Sequence, residues 1–153
     1  MNVLFVCTGN TCRSPMAKAL FEKMLEDRSI SGIKVKSAGI ATVEDAPATE
    51  NAVEVLKKMN IDIEDHKSQL FTDELGEWAD VIYVMTDGHR ATMHDLYPDI
   101  IDKVKLITEE EDGIEDPYGM PIESYERCAD EIREALLPIL DEVKLKNDKE
   151  NNN

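Results

Sequence analysis

A chain of 153 residues, 42% hydrophobic and 33% charged, fits one globular domain built around a single core. A formal net charge of −16 argues against nucleic acid and anionic membrane surfaces as partners, because no run of lysine or arginine is long enough to offset that field. The opening apolar stretch of about four residues is too short for a signal peptide or a membrane span. Three cysteines, an odd number, suit a reducing compartment better than a disulfide framework, so the expectation is a cytoplasmic protein with individual reactive or buried thiols.

In chain order, "NVLFV" (2–6) is a short apolar strand, and "SPMAKALFEKMLEDR" (14–28) follows with helical spacing, Ser14 as its expected cap and Pro15 in its first turn. "IKVKSAGI" (33–40) alternates as a strand, and "TENAVEVLKKMNI" (49–61) reads as a helix. "ADVIYVMT" (79–86) is a continuous β-branched and aromatic run, suited to a strand covered on both faces. A helix over 87–96 ends before Pro98, "KVKLIT" (103–108) gives a fourth strand, and a last helix spans 122–145, where Pro138 predicts a kink. The expected organisation is one domain over 1–146 with a disordered polar tail over 147–153.

Strands alternating with helices predict a doubly wound α/β fold, a four-stranded parallel sheet with helices on both faces, whose ligands bind at the carboxyl ends of the strands. "VCTGNTCRSP" (6–15) occupies that place, at the end of the first strand and the start of the first helix. Such a turn presents backbone N–H groups and the positive end of a helix dipole, which together make an anion site. Gly9 permits unusual backbone angles and Asn10 tolerates the left-handed region. The donors that hold an anion also favour the thiolate form of Cys7, and Arg13 offers a planar fork matched to two phosphate oxygens. The chemistry that follows is a thiolate nucleophile beneath a phosphate cradle. Cys-x5-Arg spacing by itself is a weak signal; the strand–loop–helix context makes it a strong one.

This stretch closely resembles the active-site loop of the low-molecular-weight protein tyrosine phosphatase family, C-x-G-N-x-C-R-S-P. The likeness extends along most of the chain, through "SAGI" (37–40), "HKSQL" (66–70), "ADVIYVM" (79–85) and "DPYG" (116–119), in the family's order. The resemblance implies Cys7 as nucleophile, Arg13 as phosphate clamp and Asp116 as general acid. It places Thr8, Gly9, Asn10, Thr11, Cys12 and Ser14 on the phosphate loop, with Tyr118 as a wall of the pocket. Ser37 and His66 fall where the family supports the loop through hydrogen bonds with Asn10 and Ser14, and Cys12 falls where a neighbouring thiol can trap an oxidised nucleophile. No metal and no cofactor are implied, and phosphorylated proteins are the expected substrates.

The residues themselves agree with these roles. A phosphocysteine forms by attack of Cys7, and its leaving group takes a proton from a carboxylic acid at the mouth. "DPYG" supplies a stiff turn for that acid. Other chemistry-bearing residues have plainer readings: His66 as a structural hydrogen bonder, His89 and His94 as solvated side chains, Cys128 as a small core residue, Trp78 as packing, and the acidic run 109–115 as a solvated loop.

Three positions depart from the family's commoner pattern. Lys18 stands where a glutamate is usual, and Gly119 replaces a second aromatic. Thr11 replaces a bulky aliphatic residue and matches the family's protein arginine phosphatase branch, as does the likeness of "DPYG" to that branch's "DPFG". A small hydroxyl-bearing side chain suits a guanidinium better than a phenyl ring. Phosphoarginine is therefore the favoured substrate, with phosphotyrosine as the alternative. A thiol-dependent arsenate reductase would need a mid-chain cysteine pair that the sequence lacks, and a phosphate-binding module without turnover would have no use for Cys7 together with Asp116.

Overall fold

The structure, a computed structural model, describes residues 1–109 and 112–152. Glu110 and Glu111 of the acidic run and Asn153 of the tail lie outside the described residues. The chain forms β1 (Asn2–Cys7), α1 (Arg13–Asp27), β2 (Lys34–Gly39), α2 (Glu50–Lys57), α3 (Asp73–Trp78), β3 (Val81–Val84), α4 (Asp87–Leu96), a 3₁₀ turn (Pro98–Lys103), β4 (Val104–Leu106) and α5 (Ile122–Asn151).

The four strands make one parallel sheet in the order β2-β1-β3-β4. Period-two alternation along β1 divides the core. Val3, Phe5 and Cys7 face the layer containing Met16, Phe21, Val55, Ile132 and Leu136, from α1, α2 and α5. Leu4 and Val6 face the layer containing Phe71, Ile82, Val84 and Met93, closed by α3 and α4. Each strand is thus covered on both sides, which is why β3 reads as an unbroken apolar run, VIYV, with every residue buried. Connections leave β1 towards β2 on one side and reach β3 on the other, so the chain reverses its direction across the sheet at the carboxyl end of β1. Ligands bind at such a reversal in open α/β sheets, and Cys7 is the last residue of β1.

Several expectations need correction. Helix α1 starts at Arg13 with Cys12 at its N-cap, so Ser14 is inside the first turn; its hydroxyl is engaged with Cys7 and Asn10 instead of capping. Asn10 takes the left-handed region (φ 56), as expected of it, while the freedom of Gly9 is not used at positive φ. Polar composition at 147–151 does not end the last helix: α5 runs as one element through Pro138 to Asn151. The buried Asn147 explains the extension, since its Nδ2 donates to the Ser31 carbonyl at 3.0 Å and ties the final turns to the α1–β2 connection. Helix α3 and the 3₁₀ turn have no strong periodic signal because each is only six residues long. Among the described residues no helix is long and apolar enough to cross a membrane.

Candidate active site

A cavity of about 210 Å³ opens at the end of β1, lined by Cys7, Thr8, Gly9, Thr11, Cys12, Arg13, Asp116 and Tyr118. Eight residues from two distant stretches, the loop 7–13 and the segment 116–118, therefore share one wall. Cys7 lies at its floor, buried, with Sγ 2.9 Å from Ser14 Oγ and 3.3 Å from the Asn10 backbone N–H, which donates to it. Donors aimed at sulfur stabilise a thiolate.

Asn10 holds the loop in this shape. Its side chain, fully buried, donates from Nδ2 to Ser14 Oγ (2.8 Å) and Ser37 Oγ (2.9 Å) and accepts at Oδ1 from the Gln69 N–H (3.0 Å). His66 Nε2 donates to the Asn10 carbonyl at 2.7 Å. Burial is the main influence on His66 and pulls its ring below the ordinary histidine value, against the opposing pull of that carbonyl, with Lys18 adding to the lowering. The loop also rests on β2. Ile40 and Ala41 donate to the carbonyls of Cys7 and Thr8, and a Cβ on Gly39 would stand 2.7 Å from the Thr8 carbonyl oxygen, so only glycine admits the loop so close.

Arg13 is buried at the head of α1, and its Nη1 donates to the Ile114 carbonyl at 3.0 Å while Nη2 lies 3.5 Å from Asp116 Oδ2. Asp116 is half exposed, and its Oδ1 accepts from the Tyr118 N–H at 3.1 Å, an Asx turn that fixes the carboxylate at the mouth. Tyr118, 69% exposed, stands as an aromatic rim. Cys12 is buried, with Sγ 3.5 Å from Thr49 Oγ1 and 3.6 Å from the Tyr125 hydroxyl. The structure thus brings together Cys7, Arg13 and Asp116 around one cavity, with Ser14, Ser37 and His66 beneath and behind the loop.

A family profile described as low molecular weight phosphotyrosine protein phosphatase matches residues 2–150. The chain belongs to this family. Among the relatives of this phosphatase-family chain is the protein-arginine-phosphatase of Geobacillus stearothermophilus, 42% identical over 134 residues, which are 85% of this chain and 87% of that one. A solved structure of the YwlE arginine phosphatase, a mutant with a phosphorylated active site serine, superposes with a TM-score of 0.89 at 36% identity and covers 94% of this chain and 96% of its own. The low molecular weight protein tyrosine phosphatase of T. tengcongensis gives a TM-score of 0.88 at 40% identity, covering 93% and 99%.

Four contributors escape a sequence reading of this family member. Gln69 stands within the quoted "HKSQL", yet its backbone N–H role and its Nε2 bond to the Ser37 carbonyl depend on the fold. Thr49 and Tyr125 reach Cys12 from 37 and 113 residues away. His89, expected to be solvated, is instead buried: its Nε2 is 2.8 Å from Thr8 Oγ1 and its Nδ1 meets Thr86. Thr86 three residues before His89 has the spacing of a helix capping box, the one local signal that could have pointed inward. Cys128 and His94 match their plain readings. The Cys128 thiol is buried and pushed up to about 12 chiefly by desolvation, and the His94 ring is exposed.

Proposed function

We propose that this chain is a cysteine-dependent protein phosphatase that hydrolyses phosphoarginine through a phosphocysteine intermediate. The observation that carries the reading is the cavity shared by the Cys7 thiol, the Arg13 guanidinium and the Asp116 carboxyl, with Thr11 on its wall. In the first step Cys7 sulfur attacks phosphorus, an S–P bond forms and the P–N bond breaks, while Asp116 in its acid form gives its proton to the departing guanidine nitrogen. In the second, the Asp116 carboxylate takes a proton from water as the water oxygen attacks phosphorus; the S–P bond breaks and thiolate and phosphate are released. Arg13 pairs with two equatorial oxygens throughout, and the Asn10 N–H and Ser14 hydroxyl stabilise the thiolate as leaving group.

Arginine as the modified residue is supported by Thr11, whose small hydroxyl side chain leaves room for a planar polar guanidinium, and by the protein-arginine-phosphatase relatives. The test is kcat/KM on phosphoarginine and phosphotyrosine peptides for wild type and Thr11→Ile. An apolar branched wall in place of threonine favours the phenyl ring by about 1 to 3 kcal/mol, so the ratio of the two substrates is expected to move at least about fivefold towards phosphotyrosine. A wild type that already prefers phosphotyrosine, or a ratio unmoved by the substitution, would leave a tyrosine phosphatase of the same mechanism.

A further inference from the structure

Cys128, Tyr125 and His89 are buried near the cavity and unused by the reaction above. The first two carry raised, protonated groups packed in the core. His89 is different, because both of its ring nitrogens are hydrogen-bonded, one to the cap of α4 and the other to a hydroxyl that lines the cavity.

The hydrogen bonds around His89 fix its tautomer. Thr86, the N-cap of α4, presents its backbone N–H to His89 Nδ1 at 3.2 Å, and that group can only donate. Thr86 Oγ1 accepts from the His89 backbone N–H at 3.1 Å and lies 3.0 Å from the same Nδ1. Nδ1 is therefore the acceptor, and the ring hydrogen of the neutral imidazole is on Nε2. Nε2 faces Thr8 Oγ1 at 2.8 Å, so it donates there. Burial, with the Arg13 guanidinium acting in the same direction and Asp116 against it, holds the ring at about 4, so it stays neutral near pH 7. A threonine hydroxyl that accepts from a fixed donor keeps its own hydrogen for another partner. Thr8 directly follows Cys7 and shares the cavity with it.

We propose that His89 is a positioning residue of the phosphate site, which holds Thr8 so that the Thr8 hydroxyl donates to an oxygen of the phosphoryl group above Cys7. The proposal deepens the phosphatase reading and rests on it for the identity of the anion. In its absence the Thr8 side chain is free to turn among its staggered rotamers, and the hydroxyl hydrogen has no reason to face the cavity.

Two substitutions separate this role from helix capping. In His89→Asn the amide oxygen takes the place of Nδ1 and keeps the Thr86 N–H satisfied, but nothing reaches Thr8. In His89→Gln the amide nitrogen takes the place of Nε2 and restores a donor to Thr8 at the expense of the cap. Calorimetric titration with inorganic phosphate and kcat/KM on an aryl phosphate are the readouts. His89→Asn is expected to weaken phosphate binding and lower kcat/KM by about five- to tenfold, the worth of one neutral hydrogen bond. His89→Gln should recover to within about twofold of wild type while melting at a lower temperature than His89→Asn. Thr8→Val should match the loss in His89→Asn, and the double variant should be no worse than Thr8→Val alone. Nitrogen-15 spectra should show His89 neutral with its hydrogen on Nε2 at pH 6. Additive losses, an unaffected His89→Asn, or a hydrogen on Nδ1 would each overturn the assignment. A wild type inactive on both aryl phosphate and phosphoarginine peptides would refute the phosphatase reading instead, and the phosphate titration would still decide the role of His89.

Discussion

Replacing Asn10 by alanine isolates what holds the loop 7–13 in shape. The substitution removes the two donors to Ser14 and Ser37 and the acceptor for the Gln69 N–H. At about 1 kcal/mol for each bond the loss is about 3 kcal/mol, and it falls on groups that the surrounding structure keeps from water. The backbone adds to this, since Asn10 sits at φ 56, where alanine costs about 1 kcal/mol more than a residue that tolerates the left-handed region. The sum of about 4 kcal/mol is a large share of the stability of a domain this size, and corresponds to a fall of about 8 to 16 °C in Tm. Asn10→Gly loses the same three bonds but relieves the backbone, so it should stand about 1 kcal/mol above Asn10→Ala. Urea unfolding of the three proteins, with and without saturating phosphate, measures both numbers. Phosphate should stabilise the variants much less than wild type, because the Asn10 N–H that points at Cys7 sulfur depends on the same loop conformation. If Asn10→Ala costs less than about 1 kcal/mol and still gains full stabilisation from phosphate, the buried network does not shape the site and the account is wrong.

Mild peroxide should inactivate the enzyme reversibly by linking Cys7 and Cys12, and Cys12→Ser should make the loss irreversible; peptide mass spectra of oxidised protein with no such link would defeat the idea. Acid should weaken the fold through His89. Its folded-state value lies below that of the unfolded chain, so the unfolded chain binds the proton first; the contribution is complete above about pH 6.5 and disappears as pH falls towards about 4. Discounted for partial contact with solvent, the expected loss between pH 7.5 and 5 is about 1 to 2 kcal/mol, and urea midpoints at the two pH values should show it in wild type and not in His89→Asn. An equal loss in both proteins would assign the acid sensitivity elsewhere.

Much of this architecture is legible in the sequence because it is written in short-range patterns. Alternation in "NVLFV", the unbroken run in β3 and the glycine and asparagine after Cys7 each state a local physical requirement; β2, β3 and β4 fall within the predicted segments, and β1 runs one residue past its own, to Cys7. The loop 7–13 is one continuous stretch, so its chemistry needs no tertiary knowledge. What the residues hide is reach across the fold. His89 reads as solvated because its neighbours Asp87, Gly88 and Arg90 are polar, yet α4 packs its third residue under a loop eighty positions earlier. Asn147 reads as tail for the same reason, and its burial comes from a carbonyl 116 residues away. Asn10 reads as tolerant of the left-handed region from its residue type, but what holds it there is hidden: three partners from α1, β2 and the 66–70 segment satisfy its amide.

Asp116 reaches the cavity by a connection that couples it to β1, the strand that ends at Cys7. Met85 directly follows β3, and its N–H donates to the Val6 carbonyl of β1, while its carbonyl accepts from the Ile114 N–H at 2.7 Å. Gly113, at φ 71, makes that approach possible, because a Cβ there would collide with the Met85 carbonyl oxygen. The Ile114 carbonyl in turn accepts from Arg13, two residues before Asp116. One continuous set of hydrogen bonds therefore runs from β1 through Met85 and Ile114 to Arg13, and back to the residue next after Cys12. The separation of Cys7, Arg13 and Asp116 is set by backbone geometry that starts from the ends of adjacent parallel strands. The side chains at 117–119 are free to vary, as the exposed Tyr118 and the open Gly119 show, without disturbing this backbone frame beneath.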